Sequence, residues 1–275
     1  AKIPIHIAMT QFWRHSALNW PRFNLHFSSF YILMNHSLTR MTENTVKKIE
    51  LPLAVKVIMI DLDGTLLNTA DDLALAANLM LKDLGMPEQS TATICSYIGK
   101  GIQKLVKRTL TGQLDGEPDP ALFKKALPIY EKHYAANLSI NTRPFPGVVE
   151  GIEIMQQAGF SLACITNKAE AFTLPLLRST GLYDQFEIIL SGDSLPKKKP
   201  DPMPLLHICK HFGAAPHEAL LIGDSLNDAI AARAAGCHVF CVPYGYNEGR
   251  NVYELDCDAI VDSVLDASRL IKKLP

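Results

Sequence analysis

The sequence predicts an α/β fold, a parallel-sheet core interrupted after its first strand by a small all-helical insertion. Two observations predict it. From residue 141 onward, short apolar runs alternate with helical periodicity, the grammar of βα units that need a parallel sheet covered on both faces. Between residues 69 and 140 helical spacing recurs, with no strand pattern of any strength. The chain length of 275 residues, at roughly 150 residues per domain, agrees with about two domains.

Taken in order, residues 1–53 stand apart. The first 40 residues hold both tryptophans, four of the eleven phenylalanines, four of the nine histidines and four Lys/Arg, but no acid. They show no sustained period of 3.6 or 2, and they lack the basic start, apolar run and cleavage site of a secretory signal. Acid-free and Arg-containing, they resemble an organelle transit peptide only distantly. We read residues 1–53 as an N-terminal extension outside the fold, set by an upstream reading-frame choice, with the natural start at Met34 or Met41. The longest uncharged stretch, Phe23–Thr39, is broken by Asn24, His26, Ser28, Ser29, Asn35, His36 and Ser37. It falls short of the ~20 apolar residues that a bilayer span needs.

Ala54–Ile60 is a mostly apolar run ending in Asp61-Leu62-Asp63-Gly64-Thr65, which reads as a buried strand entering a tight turn. Thr69 then caps a helix, with Asp72 as its acidic partner. Leu73, Ala76, Ala77, Met80, Leu81 and Leu84 share one face, and Gly85 closes it. Helical pattern returns over 102–110 and 121–137. The helical cap therefore spans 69–140, leaving 54–68 and 141–275 for the core. Past Pro144-Phe145-Pro146-Gly147, helices are expected near 148–158, 170–179, 203–212 and 227–235. Strands are expected at 160–165, 187–190, 219–222, 238–242 and 259–261, with a helix at the C-terminus.

Composition excludes several classes. With 27 Lys+Arg against 28 Asp+Glu the net charge is −1, so the chain carries no electrostatic case for binding nucleic acid or an anionic membrane. The partner expected is a small molecule, and nothing in the sequence fixes an oligomeric state. The six cysteines contain no C-x-x-C pair and sit mostly in apolar runs. They read as free buried thiols in a reducing, cytoplasmic setting. His207, His211, His217 and His238 show no metal-ligand spacing and read as core or surface residues.

The chemistry gathers at strand ends, where open parallel sheets bind ligands. Three strands end in Asp61/Asp63, Thr166/Asn167 and Asp224/Asp228, and a connection carries Lys197-Lys198-Lys199-Pro200. A plain turn after a strand competes for Asp61-x-Asp63-Gly. An EF-hand does not fit, because its glycine belongs at loop position 6, and the chain has no P-loop. Phosphoryl transfer fits. One carboxylate can attack phosphorus while a second protonates the leaving oxygen and later activates water. Asp224 can share Mg²⁺ with Asp61. Thr166 and Asn167 can hold phosphate oxygens, and one lysine can neutralise charge. Lys199 is preferred because Pro200 biases its backbone toward extended geometry; Lys197 and Lys198 read as solvated.

Asp61-Leu62-Asp63-Gly64-Thr65-Leu66, Ile165-Thr166-Asn167, Lys199-Pro200-x-Pro202 and Gly223-Asp224-Ser225-x-x-Asp228 resemble, in order, the four motifs of the haloacid-dehalogenase-like hydrolases. The resemblance implies a Rossmann-like core, Asp61 as nucleophile forming an aspartyl-phosphate, and Asp63 as general acid/base. It implies Thr166 and Lys199 on the phosphate, Asp224 with Asp61 and the Asp63 backbone carbonyl on Mg²⁺, and Asp228 behind them. Asp63 favours phosphate-ester hydrolysis, since the superfamily's dehalogenases lack an acid there. Tyr97-Ile98-Gly99-Lys100-Gly101 resembles a glycine-containing cap loop, competing with a plain turn; Gly99 and Lys100 are candidate substrate contacts. Residues 55–270 are most similar to the bacterial phosphoglycolate phosphatases, with Asn68 where that group usually has Asp. This implies 2-phosphoglycolate as substrate. Sugar-phosphate or nucleotide phosphatases and mutases share the architecture, and a phospho-accepting receiver-like domain is a remote alternative.

Overall fold

The computed structural model describes residues 50–274. The first strand forms two elements rather than one, because the chain breaks step at Lys56: β1 is Leu53–Val55 and β2 is Val57–Ile60. A short β3 (Leu67–Asn68) leads to helices α1 (Ala70–Asp83), α2 (Thr91–Cys95), α3 (Ile102–Thr111) and α4 (Pro120–Ala136). The chain returns through β4 (Arg143–Pro144) to α5 (Val148–Gln157), β5 (Ser161–Ile165), α6 (Glu170–Ser179) and β6 (Ile188–Leu190). Then come α7 (Met203–His211), β7 (Ala219–Gly223), α8 (Leu226–Ala235), β8 (His238–Cys241), β9 (Ala259–Ile260), α9 (Val264–Arg269) and β10 (Ile271–Lys273).

Six strands form one sheet in the order β6-β5-β2-β7-β8-β9, every pair parallel. Alternate residues of a strand face opposite sides, and the apolar clusters divide accordingly. Ile58 and Ile60 of β2 join Leu162, Leu220 and Phe240 on one face, with Met155 of α5 and Leu176 of α6. Val57 and Met59 join Ala163, Leu221 and Val239 on the other, with Ile208 of α7 and Ala232 of α8. The chain leaves central β2 toward β5 and later crosses back to β7. That reversal opens a crevice at the carboxyl end of β2, where Asp61 lies.

Helices α1–α4 share their own apolar cluster, built on Ala77, Met80, Leu105 and Tyr130, and Phe172 of α6 joins it from the core. The two connections to this helical layer run side by side as the antiparallel pair β3–β4, Asn68 opposite Arg143. Asp72 binds them together. Its fully buried carboxylate accepts the Asn141 and Thr142 backbone N–H groups at 2.9 Å, and the Thr142 hydroxyl at 2.7 Å. This corrects the expected capping box. Asp72 faces the returning chain, and Thr69, although at the N-cap, makes no side-chain cap bond. Asp72→Ala strands several buried donors and is expected to lower stability by about 3 kcal/mol, read as a shifted urea midpoint at unchanged slope.

Other differences are local. Leu53, read as outside the fold, pairs with Ile271 of β10. That strand escaped the sequence reading because Ile-Lys-Lys carries no period. Of the rest of the expected extension, residues 1–49 lie outside the described residues. The six cysteines are free, four of them buried. No helix among the described residues is long and apolar enough to cross a membrane.

Candidate active site

The site is made where β2, β5 and β7 end. The Asp61 N–H donates to the Ile222 carbonyl at 2.9 Å, which carries the β2–β7 ladder one residue past the strand. The following turn closes on Leu62, whose carbonyl accepts the N–H groups of Leu66 and Leu67 at 3.0 and 2.9 Å. Asp61 and Asp63 thus both stand at the crevice. Thr166 continues β5 by donating to the Leu190 carbonyl at 2.9 Å, and Asp224 follows β7 directly.

Lys199 is buried, and its ammonium finds three acceptors: Asp61 Oδ1 at 2.8 Å, Asp228 Oδ1 at 2.7 Å and the Ile165 carbonyl at 2.8 Å. Burial opposes its charge, but Asp228 and Asp61 outweigh that and hold its pKa above the ordinary lysine value. Burial acts on Asp61 in the other direction. Desolvation, with Asp228 and Asp63 adding to it, pushes its carboxyl up to about 7 against the pull of Lys199. Asp224 is raised well above the usual carboxylate range by burial and by Asp61 and Asp228. The Asp224 carboxylate accepts the Thr65 hydroxyl at 3.3 Å on Oδ1 and the Tyr246 N–H on Oδ2. Gly245 packs so closely on Asp224 that a Cβ there would collide with it.

Carboxylate oxygens of Asp61, Asp224 and Asp228 come within 4.8 Å of one another. Three buried carboxylates against the single Lys199 ammonium leave excess negative charge on hard oxygen donors, a set that suits a small divalent cation. Asp228, expected behind the site, lies inside this cluster, yet its oxygens are already engaged by Lys199, the Ser225 N–H at 3.1 Å and the Ser225 hydroxyl at 2.6 Å. The Asp63 side chain, by contrast, turns away to Lys168.

Lys168 is a candidate site residue that sequence reasoning missed. It is 3% exposed, and its ammonium lies 3.1 Å from both Asp63 oxygens and 4.8 Å from the Tyr134 ring centroid of α4. The available signal was its place as the first cation after the polar end of β5. A pocket of about 520 Å³, its open mouth included, lies between the sheet and the helices, with Asp61, Asp63, Thr166, Lys168 and Lys199 on its wall.

The remaining expected residues divide. Thr166 lines the pocket and accepts the Lys168 N–H at 3.2 Å. Asn167 also lines it, but its amide is spent on the Lys199 carbonyl at 2.9 Å and the Gly99 carbonyl at 3.2 Å. Asn227 reaches the same Gly99 carbonyl at 3.3 Å, so the 97–101 loop is gripped from two strand ends. Gly99 borders the pocket. Lys100 does not, because its ammonium pairs with Glu248 at 3.3 Å outside that wall. Lys197 is exposed and pairs with Asp201 at 2.9 Å. Lys198 is exposed, in keeping with its solvated reading, and its ammonium donates to the Lys100 carbonyl at 3.2 Å.

A family model for haloacid dehalogenase-like hydrolases matches residues 58–242, a span that contains every strand-end group just described. A phosphoglycolate phosphatase from Nitrosospira multiformis is 67% identical over 222 residues, covering 81% of this chain and 98% of that protein. One from Thiobacillus denitrificans is 63% identical with the same coverage. Among solved structures, that of a predicted phosphoglycolate phosphatase from Haemophilus somnus 129PT superposes with a TM-score of 0.73. It is 37% identical, covering 77% of this chain and 96% of the other. With the motifs, the parallel sheet and these relatives in agreement, the chain belongs to the haloacid dehalogenase-like hydrolases.

Proposed function

We propose that this hydrolase is a Mg²⁺-dependent phosphatase that converts 2-phosphoglycolate to glycolate and phosphate. One observation carries the reading beyond the names of its relatives: the pocket holds two distinct cation–carboxylate pairs, Lys199 with Asp61 and Lys168 with Asp63. A substrate with a phosphate on one carbon and a carboxylate on the next presents two anions. Lys199 meets the first, beside the nucleophile, and Lys168 meets the second.

The residues then act in two half-reactions. An Asp61 oxygen bonds to phosphorus as the bond from phosphorus to the glycolate oxygen breaks, and protonated Asp63 gives that oxygen its proton. Asp63, now a carboxylate, takes a proton from water whose oxygen attacks the aspartyl-phosphate; phosphate leaves and Asp61 is regenerated. Lys168 orients the Asp63 carboxyl through its contacts at 3.1 Å. A substrate carboxylate that draws the ammonium to itself leaves the Asp63 carboxyl to face the leaving oxygen. Thr166 and Lys199 steady phosphate oxygens in a water-poor pocket, where such contacts are strong. Asp61 and Asp224, with the Asp63 backbone carbonyl, would hold Mg²⁺, which when bound supplies charge stabilisation to the phosphoryl group. Helices α1–α4, within residues 69–140, serve as a cap that excludes water and selects substrate through the 97–101 loop.

A panel of 2-phosphoglycolate, glucose phosphates and nucleoside monophosphates, compared by kcat/KM with and without Mg²⁺, tests the reading. The expected order places 2-phosphoglycolate first, with no turnover in chelator. A sugar phosphate or nucleotide in first place would overturn the substrate and keep the reaction. Lys168→Gln is expected to lower kcat/KM for 2-phosphoglycolate about 10- to 100-fold, the range for a hydrogen bond to a charged group. The same substitution should change turnover of a phosphate ester without a second anion far less.

A further inference from the structure

The loop after β8 touches three places at once. The Tyr246 N–H donates to Asp224 Oδ2. The Tyr246 hydroxyl accepts the N–H groups of Thr69 and Ala70 at 2.9 and 3.0 Å and donates to Asn68 Oδ1 at 2.8 Å. It thereby caps α1 in place of Thr69, whose own hydroxyl has no partner. Two residues on, Glu248 Oε1 accepts Arg108 Nη2 at 2.6 Å and pairs with the Lys100 ammonium at 3.3 Å, both from the helical layer.

These attachments bear load. Arg108 is fully buried, and its other N–H bonds go to the carbonyls of Tyr97 at 2.9 Å and Leu114 at 2.8 Å, which leaves Glu248 as its anionic partner. Glu248 sits at φ 51°, the one non-glycine residue with positive φ among those described. That conformation belongs to a turn closed by the Arg250 N–H on the Asn247 carbonyl at 2.8 Å, with Gly249 also at positive φ, and the turn presents the Glu248 carboxylate to the two cations. Burial alone would raise the Glu248 carboxyl, yet Arg108 and Lys100 overcome it and lower the pKa. Between the anchors, Asn247 Oδ1 accepts the Leu226 N–H at 3.1 Å, and Gly245 lies flat on Asp224.

We propose that residues 245–248 are a coupling strap: Tyr246 positions Asp224 for a divalent cation, and Glu248 holds Tyr246 there only while the helical layer is seated on the core. The proposal rests on reading the acid cluster as the Mg²⁺ site. With the Tyr246 N–H on Oδ2 and the longer Thr65 hydroxyl contact on Oδ1, the Asp224 carboxylate is held in one rotamer, and outer-shell bonds of this kind are worth about 10- to 100-fold in metal affinity. Coupling is reciprocal, so the cation in turn favours the seated cap. The site becomes complete when the pocket is closed.

The test uses the full chain with Mg²⁺ alone, measured by titration calorimetry and by amide exchange over residues 68–73 and 97–111. The metal-free thermal midpoint serves as the stability control. Glu248→Gln keeps the shape and removes the charge. It is expected to weaken Mg²⁺ binding about tenfold or more and to speed exchange over 97–111, while β2 and β7 stay protected. Tyr246→Phe keeps the N–H to Asp224 and severs the hydroxyl link, so exchange at Thr69 and Ala70 should rise with a smaller loss of affinity. In the unsubstituted protein, Mg²⁺ should slow exchange over 97–111. Faster exchange at unchanged Mg²⁺ affinity would make Glu248 a latch only and overturn the coupling. If Glu248→Gln does not fold, absence of Mg²⁺-dependent slowing in the unsubstituted protein overturns it instead. An unsubstituted protein that binds no Mg²⁺ sinks the metal-site reading and the strap together; binding that the variants leave unaltered sinks the strap alone.

Discussion

Asp61→Asn is expected to abolish turnover of 2-phosphoglycolate, by about 10⁴-fold or more, since removing a nucleophile takes away the step that other groups only assist. The same variant is expected to raise the thermal midpoint of the metal-free protein at pH 8. The sign follows from the raised carboxyl of Asp61, about 7 in the fold against 3.8 as the ordinary value. A group whose folded pKa is raised binds its proton better in the folded state. Its contribution is fully favourable below the unfolded value and is lost as pH rises from near 4 through about 7. Asparagine never ionises, keeps a carbonyl oxygen for Lys199, and so escapes that loss. Calorimetry in chelator at pH 5 and pH 8 should show the variant's advantage growing with pH and larger at pH 8. Mg²⁺ should narrow it, because a bound cation stabilises the ionised acids of the unsubstituted protein. A variant that keeps its turnover would remove Asp61 from the chemistry.

Asp63→Asn is the second large effect. It leaves the nucleophile and the phosphate contacts in place and removes the proton carrier, which typically costs about 10²–10⁴ in rate. Asparagine also releases Lys168 from its ion pair, so KM for 2-phosphoglycolate should hold or fall while kcat collapses. Steady-state kinetics separate the two constants. A variant whose KM rises with kcat intact would make Asp63 a binding group rather than an acid. Leaving-group dependence adds a check, because an ester whose alcohol departs without protonation should lose far less rate.

The strand ends of the candidate site were legible because a strand buried on both faces is an apolar run, and an abrupt polar group at its end has no packing reason to be there. Ile60 to Asp61 and Gly223 to Asp224 show that break with a carboxylate, and Ile165 to Thr166 shows it with a hydroxyl. Helix and strand alternation after residue 141 likewise follows from local periodicity. What escaped was pairwise and distant. Lys168 meets Asp63 across 105 residues of chain, and Arg108 meets Glu248 across 140; no local pattern encodes either choice of partner. Lys100 shows the reverse case, in which a cation beside a motif invites a substrate contact and its ammonium pairs with Glu248 instead. Asp72 read as a capping partner because spacing alone suggested it, while the four donors of Asn141 and Thr142 that surround it are visible only in three dimensions.

The central claim is that Asp61 carries the phosphoryl group between substrate and water. A single turnover with phosphorus-labelled 2-phosphoglycolate, enzyme in excess and Mg²⁺ present, quenched in acid and read by peptide mass spectrometry, tests it directly. The account predicts a phosphoryl group on Asp61 that appears with glycolate and decays as phosphate forms. Phosphate released at the rate of glycolate, with Asp61 unmodified at every time point and label on another residue or on none, would contradict it.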